Sequence, residues 1–301
     1  MGHLLKLTTM QVIGNNQEKS MNSFSIVDDT FDPNISSSYF LSIQITLDGF
    51  SFCTLDPIRN KYIQIQHIKF KQNIPLYSQV EDCFNTIEKL SLPYKKTMVL
   101  LPTKVATIVP TPLFDEENAS KWLSFTNKIP ENNTVKNNKI KMADAYNIFT
   151  IDKDIECILT RQFPHPLFFH QYTPIIEGNL TTNMSNNQQT TLFINLTTEY
   201  FDLLAFGKNN LKLCNSFPIK NENDFIYFTL FTYEQLKLNP SETEIILSGF
   251  HPQFAQLSAN ISKYVRKVKH TSMPHHFQFS HQFREVNNQS FYNLLSLPIC
   301  V

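Results

Sequence analysis

Leu41-Ser42-Ile43-Gln44-Ile45-Thr46-Leu47-Asp48-Gly49-Phe50-Ser51-Phe52-Cys53-Thr54-Leu55 is the stretch on which the fold turns. Leu41, Ile43, Ile45 and Leu47 alternate with smaller or polar side chains, the period of a strand with one buried face. Asp48-Gly49 then gives a strong hairpin signal, because glycine removes the steric cost of a tight turn. Phe50 to Leu55 reads as the return strand. Asp56-Pro57-Ile58-Arg59-Asn60 makes a second turn into a third strand over 61–70. Pro75 introduces a helix over 76–90, with Val80, Phe84, Ile87 and Leu90 at helical spacing. Thr97 to Leu101 is apolar enough for a strand buried on both faces, and Val105 to Val109 reads as one more strand.

The same order recurs in the second half. Thr191 to Leu196 and Tyr200 to Phe206 are strands on either side of Thr197-Thr198-Glu199, and Leu211 to Phe217 is a third. A helix is expected from Asp224 to Leu238, ending at Asn239-Pro240. Glu244 to Ser248 follows as a short buried strand closed by Gly249. The repeat lies in pattern rather than in residue identity. Helices over Glu116 to Asn127 and Pro252 to Tyr264 are expected to follow the two copies. The expected organisation is an extension over 1–23, a first unit over 24–177 interrupted by 130–176, and a second unit over 178–301. Ile140 to Thr150 and His165 to Ile176 read as strands around a helix, and Gly178 to Gln189 as a loop.

Composition narrows the chemistry. The chain has 301 residues, 26 basic and 26 acidic side chains, and only six glycines, no two of them close together. Counting alone therefore removes every glycine-rich phosphate loop and dinucleotide fingerprint. A balanced charge argues against a global nucleic-acid or acidic-membrane binder. The five cysteines are odd in number and contain no Cys-x-x-Cys pair, which fits reduced thiols in a cytoplasmic protein. The first residues lack the apolar core and cleavage site of a secretion signal, and no membrane segment is expected.

The duplicated strand-strand-strand-helix-strand order resembles the actin and hexokinase-like ATPase superfamily. Phe31-Asp32-Pro33-Asn34 through Leu47-Asp48-Gly49-Phe50-Ser51-Phe52, and Val109-Pro110-Thr111-Pro112-Leu113-Phe114-Asp115-Glu116-Glu117, are more specifically similar to an uncharacterised Bacteroidota family of that fold, domain of unknown function 3822. The resemblance implies an α/β protein with mixed sheets: two ribonuclease H-like β-β-β-α-β-α halves flanking a cleft. It also implies phosphate-binding turns carrying Asp-x-Gly, the Asp organising Mg²⁺ and the Gly letting backbone N–H groups approach phosphate. If Asp48 matches the acid, Phe50 occupies the glycine position. If Gly49 matches the glycine, Leu47 replaces the acid. Asn195-Leu196-Thr197 offers neither group, and Ser248-Gly249 alone represents the adenosine-binding glycines. The candidate degenerate cleft thus comprises Asp48, Gly49, Ser51, Asn195, Thr197, Thr198, Ser248 and Gly249, with no catalytic residue, no metal ligand and no cofactor beyond weak ATP/Mg binding.

Other clusters have plainer explanations. His270, His275, His276 and His281 are too spread along a strand to share a metal, and His165 and His170 lack a neighbouring acid or thiol at ligand spacing. Asp152-Lys153-Asp154 precedes an apolar helical pattern and reads as a cap. Lys263, Arg266, Lys267 and Lys269 form the densest basic patch; with Tyr264 interleaved it suits phosphate contact plus stacking on RNA, and a solvated helix end running into an edge strand is the plainer reading. The expectation is a non-catalytic factor acting on an unidentified protein partner. A phosphotransferase using Asp48, and an RNA-associated factor using the basic patch, are the alternatives.

Overall fold

A computed structural model describes residues 23–183, 190–208 and 210–301. In the first half run β1 (Phe24–Val27), β2 (Phe40–Ile45), β3 (Gly49–Asp56), β4 (Lys61–Lys69), α1 (Leu76–Thr86) and β5 (Lys96–Leu100). Next come β6 (Ala106–Pro110), α2 (Ala119–Ser124), β7 (Asn133–Ile140) and β8 (Ala145–Asp152). α3 (Lys153–Gln162), β9 (Leu167–Phe169) and α4 (Tyr172–Asn183) complete that half and lead out of it. The second half holds β10 (Thr191–Leu196), β11 (Tyr200–Gly207), β12 (Asn210–Pro218), α5 (Glu222–Gln235), β13 (Glu244–Gly249), α6 (Phe254–Ile261) and β14 (Val268–His270). β15 (Gln278–Phe279) and α7 (Asn288–Ser296) return to the first.

The two larger sheets have the same plan. β4-β3-β2-β5-β9 in one matches β12-β11-β10-β13-β14 in the other. In each, three strands form an antiparallel meander and two are added parallel to the first of them. Parallel additions need a crossover helix, and α1, α3, α5 and α6 supply them. β1 and the short β15 extend the first sheet beside β4.

The interruption of the first half is placed differently from the expectation. β6, β8 and β7 form a separate antiparallel sheet, with Leu123 of α2 buried against Val109 and Ile148. The segment 130–176 therefore does not act as one piece: β7 and β8 join β6, whereas α3 and β9 complete the first large sheet. The counterpart of α6 is α3, not the helix expected over 116–127. α3 begins where the sequence placed a cap, Asp152 accepting from the N–H groups of Asp154 and Ile155 at 2.9 and 3.2 Å. α5 ends earlier than expected, because Lys237 takes a left-handed φ of 52° before Asn239-Pro240 is reached.

α4 is the largest departure. The strand expected over 165–176 stops at Phe169, and the loop expected over 178–189 is helical as far as Asn183, its remainder lying outside the described residues. Residues 171–180 are buried on every side. α4 packs against the second sheet, with Ile175, Ile176 and Leu180 on Phe193, Leu204 and Phe206. α7 covers the first sheet with Phe291, Leu294 and Leu295, and Tyr62 Oη donates to Leu295 O at 2.6 Å. The opposite faces carry α1 and α3 on the first sheet and α5 and α6 on the second. The expected extension lies outside the described residues except for Ser23, whose Oγ accepts the Lys69 N–H. All five cysteines are free; Cys53 and Cys83 are buried, while Cys157 is exposed.

Candidate functional site

The two hairpins β2–β3 and β10–β11 end in turns of the same construction. Thr46 N–H donates to Gly49 O at 3.0 Å, and Gly49 N–H returns a bond to Thr46 Oγ1 at 3.2 Å. Thr197 N–H donates to Tyr200 O at 2.9 Å, and Tyr200 N–H to Thr197 Oγ1 at 3.1 Å. Thr46 and Thr197 are therefore equivalent, and so are Gln44 and Asn195, two residues before them. Asp48 falls two residues later, opposite Glu199 of the second turn. Neither alignment through Asp48-Gly49 corresponds to this equivalence. The segment matching Asn195-Leu196-Thr197 is Gln44-Ile45-Thr46, so both turns carry an amide and, two residues on, a threonine.

The turns also touch. Thr198 Oγ1 donates to Asp48 Oδ2 at 3.2 Å, across 150 positions of sequence. Burial pushes the Asp48 carboxyl up from its usual value; the Thr198 bond pulls the other way, Glu199 adds to the rise and Lys69 opposes it. Lys104 Nζ lies 3.8 Å from Glu199 Oε2 on the exposed side of the junction. Asp48, Thr197 and Thr198 thus meet at one place.

Behind the second turn lies a buried polar chain. Asn195 Nδ2 donates to Asp202 Oδ2 at 2.9 Å, while its Oδ1 accepts from Asn293 Nδ2 of α7 at 3.1 Å. Asp202 also accepts from Ser216 Oγ at 2.6 Å and Gln171 Nε2 at 3.3 Å. No cation pairs with it among these partners, and burial pushes its carboxyl up to about 6. Asn195 is thereby committed to the protein's own groups.

The two glycines serve strand packing. A Cβ on Gly49 would meet Ile68 O and lie 2.6 Å from His67 Cε1. Gly249 has φ +88°, and a Cβ there would meet Leu196 O and stand 2.7 Å from Leu196 N and 2.9 Å from Asn195 Oδ1. Gly249 lets β13 close against the end of β10. Ser248 Oγ donates to Gln289 O at 3.1 Å just above it. Ser51 lies apart from the junction, on the first sheet, sharing a 2.8 Å bond with His67 Nδ1. Burial lowers His67 to about 4, so this ring is neutral at pH 7.

The remaining candidates are spread over the molecule. His170 donates from Nε2 to Thr103 O at 2.9 Å and accepts the Tyr172 N–H on Nδ1; burial lowers it to about 3. Lys263 bonds Asn260 Oδ1, Lys267 bonds Glu242 O, and Lys269 sits 2.6 Å from Glu244 Oε1. Arg266 is exposed. Among the described residues, no three His, Cys, Asp or Glu side chains converge as a metal requires. No described helix is long and apolar enough to cross a membrane.

Residues 28–268 match the family model described as a protein of unknown function, DUF3822. The chain belongs to the DUF3822 family. Its fold is that of the actin-like ATPases: a Bacteroides thetaiotaomicron protein with actin-like ATPase fold and unknown function is 25% identical, with a TM-score of 0.79 over 90% of this chain and 100% of that one. The PilM-PilN type IV pilus biogenesis complex contains a chain 8% identical, with a TM-score of 0.60 over 87% of the DUF3822 chain and 98% of that one. No curated protein matches. Sequence reasoning missed Gln44 as the partner of Asn195, although Ile43-Gln44-Ile45-Thr46 and Ile194-Asn195-Leu196-Thr197 carried the signal.

Proposed function

We propose that this DUF3822 protein does not turn over nucleotide and acts through contacts with another protein, as an assembly or regulatory factor of the cytoplasm. One observation carries this reading: Gln44-x-Thr46 and Asn195-x-Thr197 stand at equivalent places in the two turns, where the resemblance implies Asp-x-Gly. Phosphoryl transfer depends on a metal held by carboxylates and on close backbone approach to phosphate. An amide is a poor Mg²⁺ organiser, and a threonine side chain fills space a glycine leaves open. Asn195 is further bonded to Asp202 and Asn293. The bond from Thr198 to Asp48 holds the two turns together. A scaffold kept with this exchange in both halves has surfaces left to use rather than a reaction.

Isothermal titration of the full chain with Mg-ATP, run beside a phosphate-release assay, tests the reading. It expects no phosphate released above the protein-free rate. Micromolar affinity accompanied by turnover that Asp48→Asn abolishes would establish the phosphotransferase alternative instead. Salt-sensitive RNA binding lost on reversing Lys263 and Arg266 would establish the other.

A further inference from the structure

Two strand edges face one groove. β6 is the edge of the three-stranded sheet and β12 the edge of the second large sheet. The space between them has a volume of about 630 Å³, inside the range of roughly 300–1,000 Å³ usual for ligand clefts. Ile108, Leu211 and Cys214 line it and pack in one cluster with Tyr172 of α4.

The ladders fix which backbone groups point into it. Thr150 N–H bonds Val105 O and Thr111 N–H bonds Asp144 O, so β6 bonds β8 through its odd-numbered residues. The N–H and C=O of Ile108 therefore point away from β8. Ile219 N–H bonds Glu199 O, which by the same alternation turns the N–H and C=O of Cys214 away from β11. β12 is a nine-residue edge, whereas β14 at the other end of that sheet has three residues. Long edges of this kind are templates for another strand.

Charge selects the occupant. Lys104 and Lys212 line the groove, and no Asp or Glu is among its described lining residues. Lys212 Nζ is bonded to the neutral Thr190 Oγ1 at 3.0 Å. Lys104 reaches Glu199 only at 3.8 Å, with both side chains about half exposed.

We propose that the groove between β6 and β12 binds an extended, acidic segment of a partner protein, which adds as a strand to β12 and sets carboxylates against Lys104 and Lys212. This names the surface for the protein-contact role above and rests on that reading. At about 3.3 Å per residue, the five residues of β6 offer room for a paired stretch of about five residues.

The test selects a phage-displayed random dodecapeptide library on the full chain and synthesises the enriched peptides. Enriched sequences should carry Asp or Glu. Their affinity should fall about tenfold or more for Lys104→Glu/Lys212→Glu, a variant whose circular dichroism and melting should stay unchanged. Methylating alternate peptide nitrogens should abolish binding, and bound peptide should slow amide exchange at Ile108 and Cys214. No enriched peptide, peptides indifferent to the lysine reversal, or protection confined to other elements would each overturn the groove. Those failures leave the absence of nucleotide turnover standing, whereas Mg-ATP turnover removes the broader reading whatever the peptides do.

Discussion

Thr198 Oγ1 donates to Asp48 Oδ2 at 3.2 Å and so joins the turns of two structurally equivalent hairpins. The bond sits where the halves' first turns meet. Its geometry is permitted by residues of modest size on each side: an aspartate in the first turn and a threonine in the second. A variant at either position reads directly on how firmly the halves are held there.

Thr198→Val removes the donor while keeping the shape. A part-buried bond to a charged acceptor is worth about 1–3 kcal/mol, so denaturant unfolding should show a loss in that range. Asp48→Asn keeps an acceptor for Thr198 and should cost less. A double-mutant cycle in which the two losses simply add would show that the bond contributes nothing.

Asp202 should give the protein an unusual pH response. Its folded value of about 6 lies above the ordinary 3.8. Between those values the folded chain binds more protons than the unfolded one, so this group's contribution to stability falls as pH rises from about 4 to 6. His170, buried neutral and lowered to about 3, acts in the opposite sense over an overlapping range. The comparison that isolates Asp202 is therefore wild type against Asp202→Asn. The variant should gain stability relative to wild type as pH rises through that window, by up to about 3 kcal/mol. A constant difference from pH 4 to 7 would refute the assignment.

Gly249→Ala should be among the most damaging single-methyl additions in the molecule. The positive φ alone costs about 1–3 kcal/mol in a non-glycine residue, and the new Cβ would meet the Leu196 backbone. Calorimetry should record a fall in Tm of several degrees or failure to fold. A melting curve like that of wild type would mean that β13 does not close on β10 as described.

Phe291 ties α7 to the first sheet and makes edge-on contact with Phe24 at 5.6 Å between ring centres. Truncation to alanine should cost about 3–5 kcal/mol, measurable as a shifted urea midpoint. An effect below about 1 kcal/mol, the surface level, would show that α7 is not a structural member of the first half.

Much of this architecture is written locally in the chain. Leu41, Ile43 and Ile45 in one half and Leu192, Ile194 and Leu196 in the other alternate because they share the face of each sheet that packs on α1 and α3 or on α5 and α6, while α7 and α4 cover the other faces. Asp152 announces α3 because the first N–H groups of a helix need an acceptor. α4 is silent for the opposite reason. Tyr172 to Leu180 is buried all round, so no amphipathic stripe marks it as a helix. α2 took the place of α3 in the repeat because Trp122, Leu123 and Phe125 show helical spacing, while nothing local reveals that Leu123 packs on a separate sheet. At the site, only Asp48-Gly49 is locally legible, as a turn dipeptide. The equivalence of Gln44 with Asn195 emerges only when Thr46 and Thr197 are seen closing the same hydrogen bonds.

The most direct measurement is phosphate release from Mg-ATP by the full chain, with binding followed in the same sample by calorimetry. The rate should be indistinguishable from buffer and unchanged in Asp48→Asn. Turnover at micromolar affinity that disappears in Asp48→Asn would contradict it, since a pair of turns with amides at 44 and 195 would then be handling triphosphate after all.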